Sequence, residues 1–406
     1  MRRSVLALSL PGALVVLALW AQAAAACTYG PVGHLANSLA LTESAFVGVV
    51  ESVSPDEPGK PFTDATLVIR VERVVKGTPG ERVTVRSQVG YCGGIGGPGS
   101  RSGYLLYRGA SGALSAFSAE PSQLDSAARL PAPSGTARFV AAVDGPTLDA
   151  VALGGDGTAA AYSPRAGTPL ALAGCGATSV LAARHVTLGI VVIRKDTSMA
   201  RGGELELPVS ELSALTCSED RVWAAGIRNE RPVILSVGRT RREIAVIHRA
   251  PRGAVVAFSG PRAYVASRGR VAIVTLATGT VRTVRHRGSF EQLSVLGGRV
   301  AGRLADGRAG RLDLTTGRLR TGARVDGLVW LSRTTLLDAT NGVVRDSRLK
   351  VERRLIGELG QVVGVRDGTA YLASGRVVRR LEPGAKRVKR FAALPGKVVA
   401  LTTISP

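Results

Sequence analysis

The chain has 406 residues, of which 45% are hydrophobic and 20% are charged, with 50 glycines and few aromatic residues. This composition excludes a disordered chain and is typical of a turn-rich globular protein with two domains, or with one small module beside a large repeat array. The formal net charge of +23 favours anionic partners such as nucleic acid, acidic lipid or a cell-wall polymer. The arginine-rich composition of a GC-rich genome explains the same charge without any such partner.

Residues 1–26 have the three parts of an export signal. Two arginines follow the initiator methionine, an apolar run covers residues 5–20, and alanines continue to Ala26. Cleavage after Ala26 fits the small-x-small rule and would make Cys27 the mature N-terminus. The apolar run is short for a membrane span, and no second one follows. We therefore expect a secreted or extracytoplasmic protein associated with the cell envelope, with no transmembrane segment after signal cleavage.

Cys27 has two interpretations. A cysteine directly after a signal peptide can carry the lipid of a bacterial lipoprotein, which would attach the chain to a membrane. The alanines before Cys27 lack the leucine that such lipidation sites usually carry. An exported cysteine is more often a disulfide partner. We predict the disulfide and keep the lipoprotein as the alternative.

Residues 27–129 predict a small domain of one short helix and five strands. The helix covers residues 34–42, and the strands that follow have alternating or solid apolar character. The predicted strands are residues 45–53, 66–75, 82–87, 104–108 and 114–117. Five strands with one helix favour a closed barrel of the oligonucleotide/oligosaccharide-binding (OB) type.

Four segments of this domain carry a family resemblance. They are AFVGVVESV (45–53), TLVIRVERVVKGTPGERVTVRS (66–87), YCGG (91–94) and GYLLYR (103–108). These segments resemble the netrin-like domains related to the tissue inhibitors of metalloproteinases (TIMPs), over about the first third of the mature chain. The resemblance implies a disulfide between Cys27 and Cys92. The family's second bridge is missing, because Tyr29 stands at one of its positions and Phe117 and Ser118 lie near the other.

Residues 130–135 (LPAPSG) predict a linker, and residues 136–406 predict a β-propeller. Short strands recur there between glycine-containing turns, and Gly279 and Gly317 occupy matching segments, TLATGTVRTV and DLTTGRLRTG. Gly238 and Gly384 continue this spacing of one four-stranded blade, which predicts six or seven blades. The apolar segments RVWAAGI, RAYVASRGRVAIV, GRVAGRL and GTAYLASGRVV are interpreted as inner strands. Several basic clusters are interpreted as outer edge strands; the clusters are Arg239 with Arg241 and Arg242, Arg353 with Arg354, Arg379 with Arg380, and Lys386 to Arg390.

Cys175 and Cys217 lie about one blade apart in similar contexts, AGCGATS and ALTCSED. That spacing places them on neighbouring blades, and an oxidising compartment favours a disulfide between them. Two buried free thiols are the alternative.

The sequence contains no recognisable catalytic or metal-binding motif. Its four histidines, His34, His185, His248 and His286, fall in none, and we interpret His248 and His286 as solvated surface residues. The GIGGPG segment (94–99) lacks the strand and helix that a dinucleotide site requires, and the Asp-Gly pairs are explained as turns. Because aromatic residues do not alternate with the basic clusters, nucleic-acid binding is not expected. We predict no catalytic residue, metal or cofactor.

Together these features predict an exported, non-catalytic binding or scaffold protein of a bacterial cell envelope. The propeller face would recognise a protein or a glycan, or an anionic cell-wall polymer. One alternative, implied by the TIMP resemblance, is a metalloproteinase inhibitor whose Cys27 amino group and carbonyl chelate the protease zinc. The other is a propeller hydrolase or lyase, whose site would be assembled from distant loops.

Overall fold

The computed structural model describes residues 32–57, 63–89, 96–108, 114–165, 167–176, 178–184, 188–194, 201–217, 221–238 and 243–404. The chain divides into two compact units, Met1–Ala132 and Pro133–Pro406. Their boundary falls inside the segment predicted as a linker. Strands dominate the described residues, so the predicted all-β fold class is confirmed.

The first unit is a closed five-stranded barrel. Its described elements are α1 (Val32–Leu41), β1 (Ser44–Pro55), β2 (Thr63–Lys76), β3 (Arg82–Val89), β4 (Arg101–Arg108), β5 (Leu114–Ala119) and α2 (Pro121–Ala128). The strands follow one another around the barrel in the order β1-β2-β3-β5-β4, and β4 returns to β1. Neighbouring strands are antiparallel except β3 and β5, which run parallel.

Apolar residues at alternate positions of these strands fill the barrel. Leu67 and Ile69 of β2 are fully buried and pack with Phe46 of β1 and Tyr104 of β4. Period-two alternation is the pattern that predicted the strands, and all five predicted strands are confirmed. Helix α2 was not predicted, because only two of its eight residues, Leu124 and Ala127, are buried and its apolar periodicity is weak.

The second unit is a propeller. Its described residues form seven four-stranded antiparallel sheets, which we number as blades 1 to 7. Blades 1 to 3 are β33 (Lys397–Thr403), β6 (Phe139–Asp144), β7 (Leu148–Leu153), β8 (Ala159–Pro164); β9 (Thr168–Cys175), β10 (Thr178–Arg184), β11 (Leu188–Arg194), β12 (Arg201–Glu206); and β13 (Glu211–Cys217), β14 (Arg221–Arg228), β15 (Arg231–Gly238), β16 (Ile244–Arg249).

The remaining blades continue along the chain with the same order of strands. Blades 4 to 7 are β17 (Val255–Ser259), β18 (Arg262–Ser267), β19 (Arg270–Thr275), β20 (Val281–Arg285); β21 (Phe290–Leu296), β22 (Arg299–Leu304), β23 (Arg308–Leu312), β24 (Leu319–Arg324); β25 (Val329–Trp330), β26 (Thr335–Asp338), β27 (Val343–Asp346), β28 (Val351–Arg354); and β29 (Gln361–Arg366), β30 (Thr369–Ser374), β31 (Val377–Leu381), β32 (Lys389–Ala393).

The last strand of the chain closes the propeller. Strand β33 pairs with β6 from Lys397 opposite Asp144 to Thr403 opposite Phe139, and so completes blade 1. The first strands of most neighbouring blades contact one another, which makes them the innermost strands of a ring. This closure leaves no unpaired sheet edge at the junction of the two ends.

The glycines used to find the repeat occupy one structural position. Gly279, Gly317 and Gly384 lie between the third and fourth strands of blades 4, 5 and 7, each with φ between 69° and 78°. In that conformation only glycine escapes a steric cost. Gly238 ends the third strand of blade 3, so the predicted period is confirmed and the number of blades is the higher of the two predicted.

Two predictions about strand position within the blades need correction. The apolar segments expected to be inner strands form the second strands β14, β18, β22 and β30, and two of these segments continue into the third strands β19 and β31. Second strands are flanked on both sides and covered on both faces, so they are the most apolar, whereas first strands such as β17 and β21 are half-exposed.

The basic clusters only partly follow outer edges. Arg353 and Arg354 lie in β28, and Lys389 with Arg390 in β32, both outermost strands. Arg379 and Arg380 belong to β31, a third strand, so the prediction for that pair is wrong. The cluster at residues 239–242 lies outside the described residues.

The positive charge of the chain belongs almost entirely to the second unit. Residues 32–132 contain nine basic and nine acidic side chains, whereas residues 133–406 contain 42 basic and 21 acidic ones. On the barrel surface, basic and acidic side chains form ion pairs. Arg82 Nε donates to Glu51 at 2.7 Å, and Arg101 Nε donates to Glu72 at 2.7 Å. The propeller therefore carries a formal charge of +21, with too few acids to pair its arginines.

Candidate functional site

The predicted disulfide between Cys175 and Cys217 is present. The two cysteines end β9 and β13, the first strands of blades 2 and 3, and their Cα atoms are 5.5 Å apart. The bridge therefore joins two neighbouring blades near the centre of the ring, which confirms the prediction and excludes the free-thiol alternative. Cys27 and Cys92 lie outside the described residues.

The histidines are not the solvated surface residues that the sequence suggested. His248 lies in β16 and His286 just after β20, and both are half-buried. Burial lowers the pKa of both imidazoles below the ordinary value of 6.5. His34 lies in α1, and His185 falls outside the described residues. No group of three or more potential metal ligands occurs among the described side chains.

One cleft of the described propeller lies between blades 6 and 7. We call it the blade 6–7 cleft, and its volume is about 610 Å³. This volume lies within the range of ligand pockets. Its polar lining residues are Gln292, Asp326, Thr340 and Gln361, and its larger apolar ones are Val329, Leu337, Leu359 and Val362.

The cleft exists because the first strand of blade 6 is short and is attached to blade 5. Strand β25 has only two residues, and two side chains of β21 satisfy backbone donors near it. The amide of Leu328 donates to Gln292 Oε1 at 3.1 Å, and that of Trp330 to Ser294 Oγ at 3.0 Å. Neighbouring first strands elsewhere pack closely, whereas β25 and β29 do not, which leaves space between them.

One wall of the cleft is the loop Gly357–Gly360. The side chain of Glu358, within this loop, holds it in place. Glu358 Oε1 accepts a hydrogen bond from Ser374 Oγ at 2.5 Å, and Glu358 Oε2 pairs with Arg379 at 2.5 Å. These contacts, the Ser374 hydrogen bond first, hold the pKa of Glu358 below its ordinary range. Gly360 has a φ of +80°, and a Cβ there would lie 2.2 Å from the carbonyl oxygen of Ala373. The loop is thus anchored to blade 7.

The lining suits hydrogen bonding to an uncharged polar ligand. The Gln361 amide offers donors and an acceptor, and the Gln292 amide offers its NH₂ group, because its Oε1 already accepts from Leu328. Thr340 adds a hydroxyl and Asp326 a carboxylate. No His, Cys, Lys or Arg side chain lines the described cleft. The lining therefore contains a single acid and no activated nucleophile.

Sequence reasoning missed all four polar residues of this cleft. They come from separate segments between positions 292 and 361, and none belongs to a motif. The one local signal is the pair of glycines at positions 357 and 360, which marks an unusual loop before β29 but does not indicate a ligand.

Neither helix in the described part of the chain has the length and apolar character needed to cross a membrane. No family model matches the chain, and neither does any curated protein. The netrin-like assignment of the barrel therefore stays a prediction.

Several solved structures are similar to this chain. BamB from Moraxella catarrhalis has 16% identity and a TM-score of 0.43, over 60% of this chain and 89% of its own. The WD40 domain of Toxoplasma gondii coronin has 12% identity and a TM-score of 0.42, over 64% and 77% of the two chains. TolB from Acinetobacter baumannii has 10% identity and a TM-score of 0.40, over 89% and 83%. At these TM-scores the likenesses carry no argument about function, and the propeller assignment rests on strand order and ring closure.

Proposed function

We propose that this protein is an exported, non-catalytic binding protein whose propeller holds an extended, uncharged peptide segment of a partner in the blade 6–7 cleft. The observation that carries the proposal is the lining, which combines the amides of Gln292 and Gln361 with four apolar side chains. An extended peptide presents backbone donors and acceptors to amides and alternate side chains to apolar surfaces. Protein recognition is thus favoured over glycan recognition, because no aromatic ring lines the described cleft.

The same lining supports a binding role over catalysis. General acid–base or nucleophilic chemistry requires a second titratable group beside the first, within hydrogen-bond reach. Asp326 is the only titratable side chain that lines the described cleft. A hydrolase or lyase would have to place its site elsewhere.

We also infer that the barrel is of the OB type. Its strand order, β1-β2-β3-β5-β4, with β3 and β5 parallel, supports the assignment and agrees with the predicted small closed barrel. Export, attachment to the envelope and the Cys27–Cys92 bridge belong to the proposal through the N-terminal sequence pattern. Mass spectrometry of the unreduced protein from its host distinguishes two forms of Cys27. In one, Cys27 has a free N-terminal amino group and a disulfide to Cys92. In the other, Cys27 is lipidated, which would exclude both that bridge and the inhibitor alternative.

The cleft is tested with the full-length protein on an array of uncharged peptides, followed by titration of the best peptide with fluorescence anisotropy. Gln361→Ala and Asp326→Asn should each weaken binding about tenfold, the effect of one lost hydrogen bond in a desolvated site. Asp367→Asn is the matched control, since it removes one carboxylate from an exposed turn of blade 7 outside the cleft.

Two results would contradict the proposal. Equal weakening by Asp367→Asn would mean that the cleft is not the binding site. Preferential binding of neutral glycans, weakened by Gln361→Ala, would identify the cleft as a glycan site and make the peptide assignment wrong.

A further inference from the structure

A second described cavity lies between blades 3 and 4. It has a volume of about 360 Å³ and shares no lining residue with the blade 6–7 cleft. Blade 3 contributes Arg231, His248 and Arg249, and blade 4 contributes Ser267, Arg270 and Thr283. We call it the blade 3–4 pocket.

The charges of this pocket are unbalanced. Three arginines line it and no acid does. Among the described side chains, no ion pair is formed by Arg231, Arg249 or Arg270, although the nearby Arg252 pairs with Glu230. All three arginines are exposed, so solvent and salt screen their mutual repulsion, but an anion in the pocket would be attracted by all three guanidinium groups.

The pairing of strands adds a fourth positive charge beside the pocket. Arg270 of β19 lies directly opposite Arg285 of β20. Like charges directly opposite each other destabilise a sheet. Both side chains are exposed and therefore partly screened, and a bound anion would offset the repulsion that remains.

The pocket is also organised for a specific ligand. Arg270 Nε donates to Ser267 Oγ at 3.2 Å, which fixes the direction of its guanidinium group. The hydroxyl of Thr283 supplies a further donor, and the floor includes Val265, which is 1% exposed. A guanidinium group matches the geometry of carboxylate and phosphate oxygens, which it binds through two parallel hydrogen bonds.

We propose that the blade 3–4 pocket binds the carboxylate or phosphate group of a small ligand, or of one unit of a polymer, between Arg231, Arg249 and Arg270. The volume accommodates one monosaccharide-sized unit. This inference is independent of the peptide site, since the two cavities have no residue in common.

The test uses the full-length protein labelled with ¹³C at histidine, because only four histidines are present and His248 lines the pocket. Three probes with the same sugar body are titrated at low ionic strength: glucose 1-phosphate, glucuronate and glucose. The His248 imidazole signal, assigned with His248→Gln, should shift with one or both anions and not with glucose. The anion that binds more tightly identifies the phosphate or the carboxylate as the natural group.

Variants then separate the pocket from the general positive field. Arg231→Gln and Arg270→Gln should each weaken the anion about tenfold or more, as expected for the loss of a charge-assisted hydrogen bond. Arg262→Gln is the matched control, an exposed arginine of blade 4 outside the pocket that removes the same charge. It should change binding less than about twofold, because exposed charges at a distance are screened.

The proposal is overturned if neither anion shifts the His248 signal up to about 10 mM, the weakest range of specific binding. It is also overturned if Arg262→Gln weakens binding as much as Arg270→Gln, because a diffuse field would then hold the anion. Equal shifts with glucose and glucuronate would assign the pocket to the sugar body and would overturn it as well.

Discussion

His286 is a half-buried polar side chain of the propeller whose ring lacks hydrogen-bond partners among the described residues. Its ring packs edge to face on Phe290, with centroids 5.5 Å apart, and neither ring nitrogen has a hydrogen-bond partner of good geometry. Burial lowers the pKa of His286, while the nearby backbones of Arg270 and Arg287 act weakly in the opposite direction. An unsatisfied buried polar group costs folding free energy, and protonation increases that cost.

This environment predicts how stability depends on pH. The unfolded imidazole titrates near 6.5 and the folded one at lower pH, so between these values the unfolded state binds more protons. The contribution of His286 to stability is therefore complete above pH 6.5 and is lost as the pH falls through the folded pKa. His248, whose pKa burial also lowers, acts in the same direction.

Replacement of His286 by phenylalanine should stabilise the protein by about 1 kcal/mol at neutral pH, since it removes two unsatisfied nitrogens and keeps the packing on Phe290. The loss of stability between neutral and mildly acidic pH should become smaller. Urea unfolding at a series of pH values measures both effects, with His34→Phe in the barrel unit as the comparison. An unchanged pH dependence in His286→Phe would show that His286 does not titrate in this range.

The elements of the propeller pack on neighbouring blades as well as within their own sheets. Second strands such as β14 are buried because adjacent blades cover both faces, and the cores run from one blade to the next. The Cys175–Cys217 bridge strengthens one such junction covalently. Strand β25 shows the opposite case, in which two side-chain hydrogen bonds from β21 replace a longer strand and a cleft remains.

Removal of the bridge by the double change Cys175→Ala and Cys217→Ala should lower the free energy of unfolding by about 2–4 kcal/mol. The bridge closes a chain segment with a sequence separation of 42, and a loop of that size restricts the unfolded state strongly. Urea unfolding without reductant measures the loss. If the double variant were as stable as the oxidised parent, the bridge would not contribute to the junction between blades 2 and 3.

The whole propeller depends on its closure, because β33 supplies the first strand of blade 1 and contacts the first strands on both sides of it. A propeller keeps its sheet edges short and protected only while every blade is complete. The two units also differ in charge, since paired charges neutralise the barrel and the propeller retains +21. The charge that suggested anionic partners is therefore a property of the propeller, and the blade 3–4 pocket is where we propose that it acts.

A chain that ends after Gly396 lacks β33 and leaves the apolar edge of β6 unpaired. We expect the loss of cooperative unfolding of the propeller, a cost of at least about 5 kcal/mol that is comparable to the stability of an ordinary domain. Calorimetry and light scattering measure the transition and the aggregation of the open edge. A chain that ends after Ile404 is the control and should behave as the parent does, whereas a normal transition in the shorter chain would contradict the closure role of β33.

The barrel strands, the blade period and the Cys175–Cys217 pair could be predicted from the amino-acid sequence alone. Each of these depends on a local signal, namely two-residue alternation in segments such as 66–75, turn glycines such as Gly279 and Gly317, and two cysteines one period apart. Period alone left six or seven blades open, because the strand that completes blade 1 lies at the other end of the chain.

The strands that line the ring, the burial of His248 and His286 and the positions of the cavities became known only from the three-dimensional fold. The two proposed sites join residues that are distant in sequence, such as Gln292 with Gln361 and Arg231 with Arg270. A strand pattern depends on neighbours along the chain, whereas a cavity depends on how two blades meet, so local periodicity does not encode it.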